Sequence, residues 1–156
     1  MLLKWILVIL HIITAAAWFG LGLRLAGQAR TVLGLSGDAR ATLADDGQRS
    51  VRLMNIFILL TLLFSLGAFV AGGHFNTYGP VYHSAITLIV LLTLDQLFVI
   101  RPAWGTLQAF ATNEDDTSDA DAQSAKTRVA IGTGVGHLIW LVLLGLMFAN
   151  RLTGAL

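Results

Sequence analysis

The sequence contains no cysteine, which excludes disulfides, thiolate nucleophiles, iron–sulfur clusters and Cys-ligated zinc. Any metal would have to be held by histidine, carboxylate or backbone. Charge is almost as scarce. Only 12% of the 156 residues are Asp, Glu, Lys or Arg, about half the share usual in a soluble domain, and the net charge is +1. With no basic cluster the chain cannot neutralise a run of phosphates, so nucleic acid is excluded as a partner. What is abundant is apolar sequence, 56% of the chain. Lipid is the main solvent such a chain expects.

Crossing a hydrocarbon core takes about 20 mainly apolar residues, and four segments qualify, at about 3–26, 54–73, 82–101 and 129–149. The expected fold is therefore all-α, a single-domain integral membrane four-helix bundle with connections at 27–53 and 102–128. The first segment runs on into LRLAGQAR without a small-residue cleavage site, so it reads as a retained helix and not a leader. Five Lys/Arg lie between Arg24 and Arg52 and three between Arg101 and Arg128, while GGHFNTYGPVY has none. The positive-inside rule then places both long connections in the cytoplasm and both termini on the outer, periplasmic side of a bacterial-type inner membrane. Trp5, Tyr78 and Tyr82 fit the outer interface and Trp104 the inner.

In the first connection SGDARATLADDGQRS reads as helical, capped at Ser36 or Asp38 and broken at Asp46-Gly47, so that it extends the second span into the cytoplasm. NEDDTSDAD (113–121) holds five of the nine acidic residues but lacks the central Gly and terminal Glu of a calcium loop, and reads as a solvated linker.

Polar groups inside a span are costly and each needs a partner or a task. Arg24 and Asp95 lie about 3 Å and 9 Å from the inner ends of their helices, within mutual reach, and are expected to form a structural ion pair, with a proton relay or substrate anchor at Asp95 as the functional alternative. Asn55, Ser65 and Gln96 are the remaining uncharged polar residues considered. All four histidines fall toward the outer side: His11 about 12 Å deep, His137 about 18 Å deep, and His74 and His83 near the surface. One such His is most often a hydrogen-bonded core residue, but four at one end suggest a shared ligand. Imidazole is the usual axial ligand of b-type haem, and a helix bundle supplies two walls for a flat macrocycle.

Gly132 and Gly136 precede His137 at small-xxx-small spacing, and Ala15, Ala16, Ala17 and Gly20 follow His11; both stretches clear a helix face for close approach, by a haem or by another helix. Gly132, Gly134 and Gly136 in GTGVG do not form a dinucleotide fingerprint, since no strand precedes them. Trp18 and Trp140 follow His11 and His137 by seven and three residues and read as core aromatics that can also line a macrocycle. Copper or zinc would be expected to bring Met, Cys or carboxylate ligands at a clear spacing, which is not found. The residues alone leave haem, another metal and no cofactor all open.

Three segments, LHIITAAAWFG (10–20), MNIFILLTLLFSLGAFVAG (54–72) and VYHSAITLIVLL (81–92), give the chain a resemblance to the HemJ-type protoporphyrinogen oxidases, with the CopD-like copper-resistance proteins as more distant relatives. The resemblance implies a four-helix membrane fold, b-type haem and oxidation of protoporphyrinogen IX, with His11 as a haem ligand and His83 at the matching second position. Ala85 stands where that family carries Lys, and His74 and His137 have no counterpart in it. For the second axial ligand the resemblance favours His83, and depth favours His137, offset from His11 by about 6 Å against about 10 Å for His83.

The expected function is thus a membrane protein holding haem b near its outer face and acting in electron transfer or oxidation of a small apolar substrate. Its partners would be the bilayer and a redox partner or that substrate. A cofactor-free transporter, an anchoring subunit of a larger complex, and CopD-like copper handling are the alternatives, and the small-residue faces leave a homo-oligomer open.

Overall fold

A computed structural model describes residues 2–73, 80–112 and 117–153 of the chain. The order is α1 (Leu2–Gly34), α2 (Gly37–Ala71), α3 (Pro80–Asp95), a π-helical segment (Gln96–Ile100), α4 (Arg101–Thr112) and α5 (Asp119–Thr153). No strand occurs among the described residues. Because α3, the π segment and α4 run on as one rod, the chain makes four rods, each with a stretch long and apolar enough to cross a membrane.

The helices are longer than the apolar spans within them. At 1.5 Å per residue, α1 with its 33 residues is about 50 Å long, against a hydrocarbon core of roughly 30 Å. The excess lies at the end where α1 meets α2, termed here the loop end; the opposite end is the terminal end. On α2 the outward face reads Asp38, Thr42, Asp45, Asp46, Arg49 and Arg52, then Leu53, Ile56, Leu59, Leu63 and Leu66. One continuous helix thus exchanges a water-compatible face for a lipid-compatible one within a turn.

Both connections expected at 27–53 and 102–128 are therefore largely helical. Only Leu35 and Ser36 lie between α1 and α2, and Gly37 turns the chain with φ +57°, a value that favours glycine. The break expected at Asp46-Gly47 does not occur, since α2 passes through it unbroken. Gly47 serves contact instead: its missing side chain admits the ring of Trp104, which a Cβ would overlap. Residues 113–116 of the acidic stretch lie outside the described residues. Asp119 and Asp121 begin α5, where the Asp121 N–H donates to Ser118 Oγ (3.2 Å) and the Asp121 carboxylate accepts from the Ser118 N–H (3.3 Å), a reciprocal capping box.

Pro102 accounts for the π segment. Its ring has no N–H to donate and crowds the carbonyl one turn back, and the chain absorbs this by widening one turn, in which the Arg101 N–H bonds to the Gln96 carbonyl.

The core differs along the bundle axis. Toward the loop end Leu25, Ala29, Val32, Ala44, Val51, Trp104, Leu107, Ala122, Ala125 and Val129 are all 3% exposed or less. Trp104 is the largest of them, and its indole N–H donates to the Ala44 carbonyl at 3.1 Å. Midway, a polar layer crosses three rods: Trp18 Nε1 donates to Gln96 Oε1 (3.0 Å), and Gln96 Nε2 donates to Asn55 Oδ1 (2.8 Å).

Candidate functional site

Beyond that layer the terminal end of the bundle is hollow. A cavity of about 620 Å³ lies between α1, α2, α3 and α5, within the range of pockets that take small molecules and cofactors. On α1 its wall is the face Lys4, Val8, His11, Ala15 and Trp18; α2 offers Ile58, Thr61, Ser65 and Ala68; α3 offers Tyr82, Ala85, Ile86 and Ile89. These are the inward positions of an ordinary bundle, spaced three and four apart. Where such positions normally hold Leu or Phe, this chain sets Ala15, Thr61, Ser65, Ala68 and Ala85, and the missing volume is the cavity. Trp18, 1% exposed, forms its floor, tied to Gln96. Lys4 and Tyr82 sit in the first turns of α1 and α3 and so lie nearest the terminal end.

His11 is the one histidine among the described residues that lines this space. Its Nδ1 lies 3.2 Å from the backbone carbonyl of Thr61. A carbonyl only accepts, so Nδ1 carries the proton and the Nε2 lone pair remains available, the arrangement in which a metal-binding imidazole is usually held. Thr14 locks the same seam: its hydroxyl donates to the Leu10 carbonyl (2.9 Å) and accepts from Thr61 Oγ1 (2.9 Å).

The other histidines are not gathered around the same space. His83 faces outward on α3, while its neighbours Tyr82 and Ala85 line the cavity. His137 lies on the α1–α5 seam, against Phe19 (ring centroids 4.7 Å apart) and edge-on to Trp18 (6.1 Å), on the far side of the indole that floors the cavity. Its Nε2 is buried without a hydrogen-bond partner among the described residues, and Gly22 makes room for it, since a Cβ there would come within 2.8 Å. His74 lies outside the described residues. The small-residue pair before His137 serves helix packing, Gly132 against Ile100 and Asp95, Gly136 against Trp18 and Leu92. Gly20 and Gly134 face open space. Trp140 lines the cavity and stacks on Phe19 at 4.4 Å.

The expected Arg24–Asp95 pair is replaced by another. Arg24 reaches Asp46 of α2 at 3.4 Å, because α2 begins at Gly37 and brings Asp46 alongside α1, and Gln28 donates to the same carboxylate at 2.8 Å. Asp95 instead sits at the mouth of the π segment against Gly132, and its Oδ2 is buried with no hydrogen-bond partner among the described residues. The Trp18–Gln96–Asn55 chain was not foreseen; the available signal was two amide side chains, Asn55 and Gln96, in two otherwise apolar spans.

Among the described residues no three His, Asp or Glu side chains are grouped to hold a metal ion. A haem iron asks less of a protein, since the porphyrin supplies four ligands and the chain one or two. An apolar cavity with one imidazole of fixed tautomer fits that demand. Comparison of the chain with protein-family models, with curated proteins and with solved structures finds no match.

Proposed function

We propose that the chain is a multi-pass membrane protein holding one b-type haem in the terminal-end cavity, with His11 as its axial ligand, and that it oxidises a small apolar substrate drawn from the bilayer. The observation that carries this reading is the imidazole of His11, pinned through Nδ1 to the Thr61 carbonyl in the wall of an apolar cavity of about 620 Å³. When bound, the haem would supply one-electron and oxygen chemistry, with His11 as the residue of the cavity wall that would hold its iron. The outward placement of His83 and the position of His137 behind Trp18 favour this single ligand over a bis-histidine electron carrier.

The chain's own residues do the rest. The Thr14–Thr61 clasp fixes the two helices that aim His11, Trp18 closes the cavity toward the loop end, and the mostly apolar wall suits an apolar guest. Lys4 and Tyr82, which line the cavity in the first turns of α1 and α3, are the residues that would face the carboxylates of the macrocycle. The termini and cavity mouth are assigned to the periplasmic side of a bacterial-type inner membrane, because the eight Lys/Arg of the two loop-end connections lie at the opposite end. The resemblance to the HemJ-type oxidases supports haem more than porphyrinogen oxidation itself, since Ala85 replaces the Lys of that family.

The test is a reduced-minus-oxidised absorption spectrum of the detergent-purified protein. A b-type spectrum is expected, lost in His11→Ala and kept in His83→Ala and His137→Ala. Full haem content in His11→Ala defeats the assignment. A preparation that stays colourless when haem is supplied during expression favours a cofactor-free carrier or anchoring subunit, and bound copper without porphyrin absorbance favours copper handling.

A further inference from the structure

Away from the cavity, α1 and α5 enclose a separate groove of about 220 Å³ formed by Ala26, Gly27, Arg30, Lys126 and Ala130. Two features set it apart from ordinary helix packing. Its polar end carries one cation from each helix, and among the described residues neither Arg30 nor Lys126 makes a hydrogen bond or ion pair. Its other end is lined only by small residues, and a Cβ on Gly27 would meet nothing within 4 Å.

The depth of the groove matters as much as its lining. Arg30 lies three residues beyond Gly27 on α1, and Lys126 four before Ala130 on α5, so both cations sit about 5–6 Å nearer the loop end than the small residues. On α5 the outward face is polar through Arg128 and turns apolar at Ala130 and Ile131; on α1 the outward residues one turn above Gly27 are Leu23, 61% exposed, and Arg24, which reaches aside to Asp46 of α2. On its α5 side the groove therefore straddles the level at which the outer surface changes from water-compatible to lipid-compatible.

We infer that this groove binds the headgroup phosphate of an anionic phospholipid, held between Arg30 and Lys126, with an acyl chain lying along the strip made by Gly27 and Ala130. A phospholipid matches both ends of the groove and the spacing between them. Its phosphate meets two cations that lack partners in the chain, and its first methylenes meet a strip with no side chains in the way. Charge is confined to the polar end of the groove, so selection acts on the headgroup and not on the acyl chain. The site is independent of the haem reading and stands or falls separately.

The experiment is native mass spectrometry of the full chain released from micelles containing either phosphatidylglycerol or phosphatidylcholine of the same acyl chains. One retained phosphatidylglycerol per chain is expected, with phosphatidylcholine retained far more weakly. Arg30→Gln and Lys126→Gln should each weaken retention about fivefold and the pair about twenty-fivefold. Gly27→Leu, which keeps both charges and fills the groove, should weaken it by a similar factor, while Arg49→Gln with Arg52→Gln, an equal loss of charge on α2, should change it less than twofold. Melting curves confirm that each variant is folded. Equal loss in the α2 variant, or undiminished retention in Gly27→Leu, overturns the site in favour of diffuse surface charge. Displacement of the lipid by millimolar inorganic phosphate overturns the lipid assignment in favour of a free-phosphate site.

Discussion

Toward the loop end the space between the rods is filled by Trp104, Leu107, Val51, Leu25 and Val129, with Gly47 and Ala44 receiving the indole. Toward the terminal end the corresponding inward positions carry Ala15, Thr61, Ser65, Ala68 and Ala85, and the space stays open. The same four rods run through both regions, and the volume of the side chains at their inward positions fills one end and leaves the other open. A surface turning from polar to apolar accompanies the change: the filled region is partly clothed in Asp, Arg and Gln, while the hollow one presents Ile13, Leu63 and Leu138 outward.

That division can be broken at its strongest point. Trp104→Ala should cost about 3–5 kcal/mol by opening a void in the filled region, and Gly47→Ala about 1–3 kcal/mol by overpacking against the same ring, both read from thermal unfolding in detergent. A melting temperature unchanged in both would mean that this region does not bear the stability assigned to it. Gln96→Leu, at the boundary, removes the central member of the Trp18–Gln96–Asn55 chain and should cost about 1–3 kcal/mol, because it strands an indole N–H and an amide oxygen.

Ala85→Phe sharpens the comparison from the other side. Filling the hollow should shift stability by no more than about 1 kcal/mol in either direction yet abolish haem retention, measured by melting and by the ratio of haem to protein absorbance. A variant that still took up haem would place the macrocycle elsewhere. The smallest effect belongs to Arg24→Gln. Its pair with Asp46 joins side chains 66% and 53% exposed, and its loss should be worth well under about 1 kcal/mol in a melting experiment with Arg24→Gln beside the unaltered chain.

Much of this was legible from the residues. Four apolar runs announce four rods, and the change from Arg52 to Leu53 on the outward face of α2 is visible in sequence as the place where polar spacing gives way to apolar. The helical extension beginning after Ser36 was legible from its cap, and α2 does start at Gly37, but its continuity through Asp46-Gly47 was not. Gly47 misled because glycine serves both to end helices and to admit a neighbour, and only the position of Trp104, 57 residues away, separates the two uses. His11, singled out by its type and depth, does line the cavity. That His83 and His137 do not share its space could not be read, since which face of a helix meets which neighbour depends on the rotation of each rod about its axis. Arg24 was paired with the wrong carboxylate because Asp46, read as the break in a helical extension, instead lies inside α2 and alongside α1.

Trp18 has one more consequence. Its indole is both the floor of the cavity and a hydrogen-bond donor to Gln96, so the chamber ends blind toward the loop end. Any molecule passing from one face of the membrane to the other would have to dislodge that ring and then the Trp104 wedge beneath it. The bundle is thus plugged at mid-depth by a ring that its own hydrogen bond holds in place.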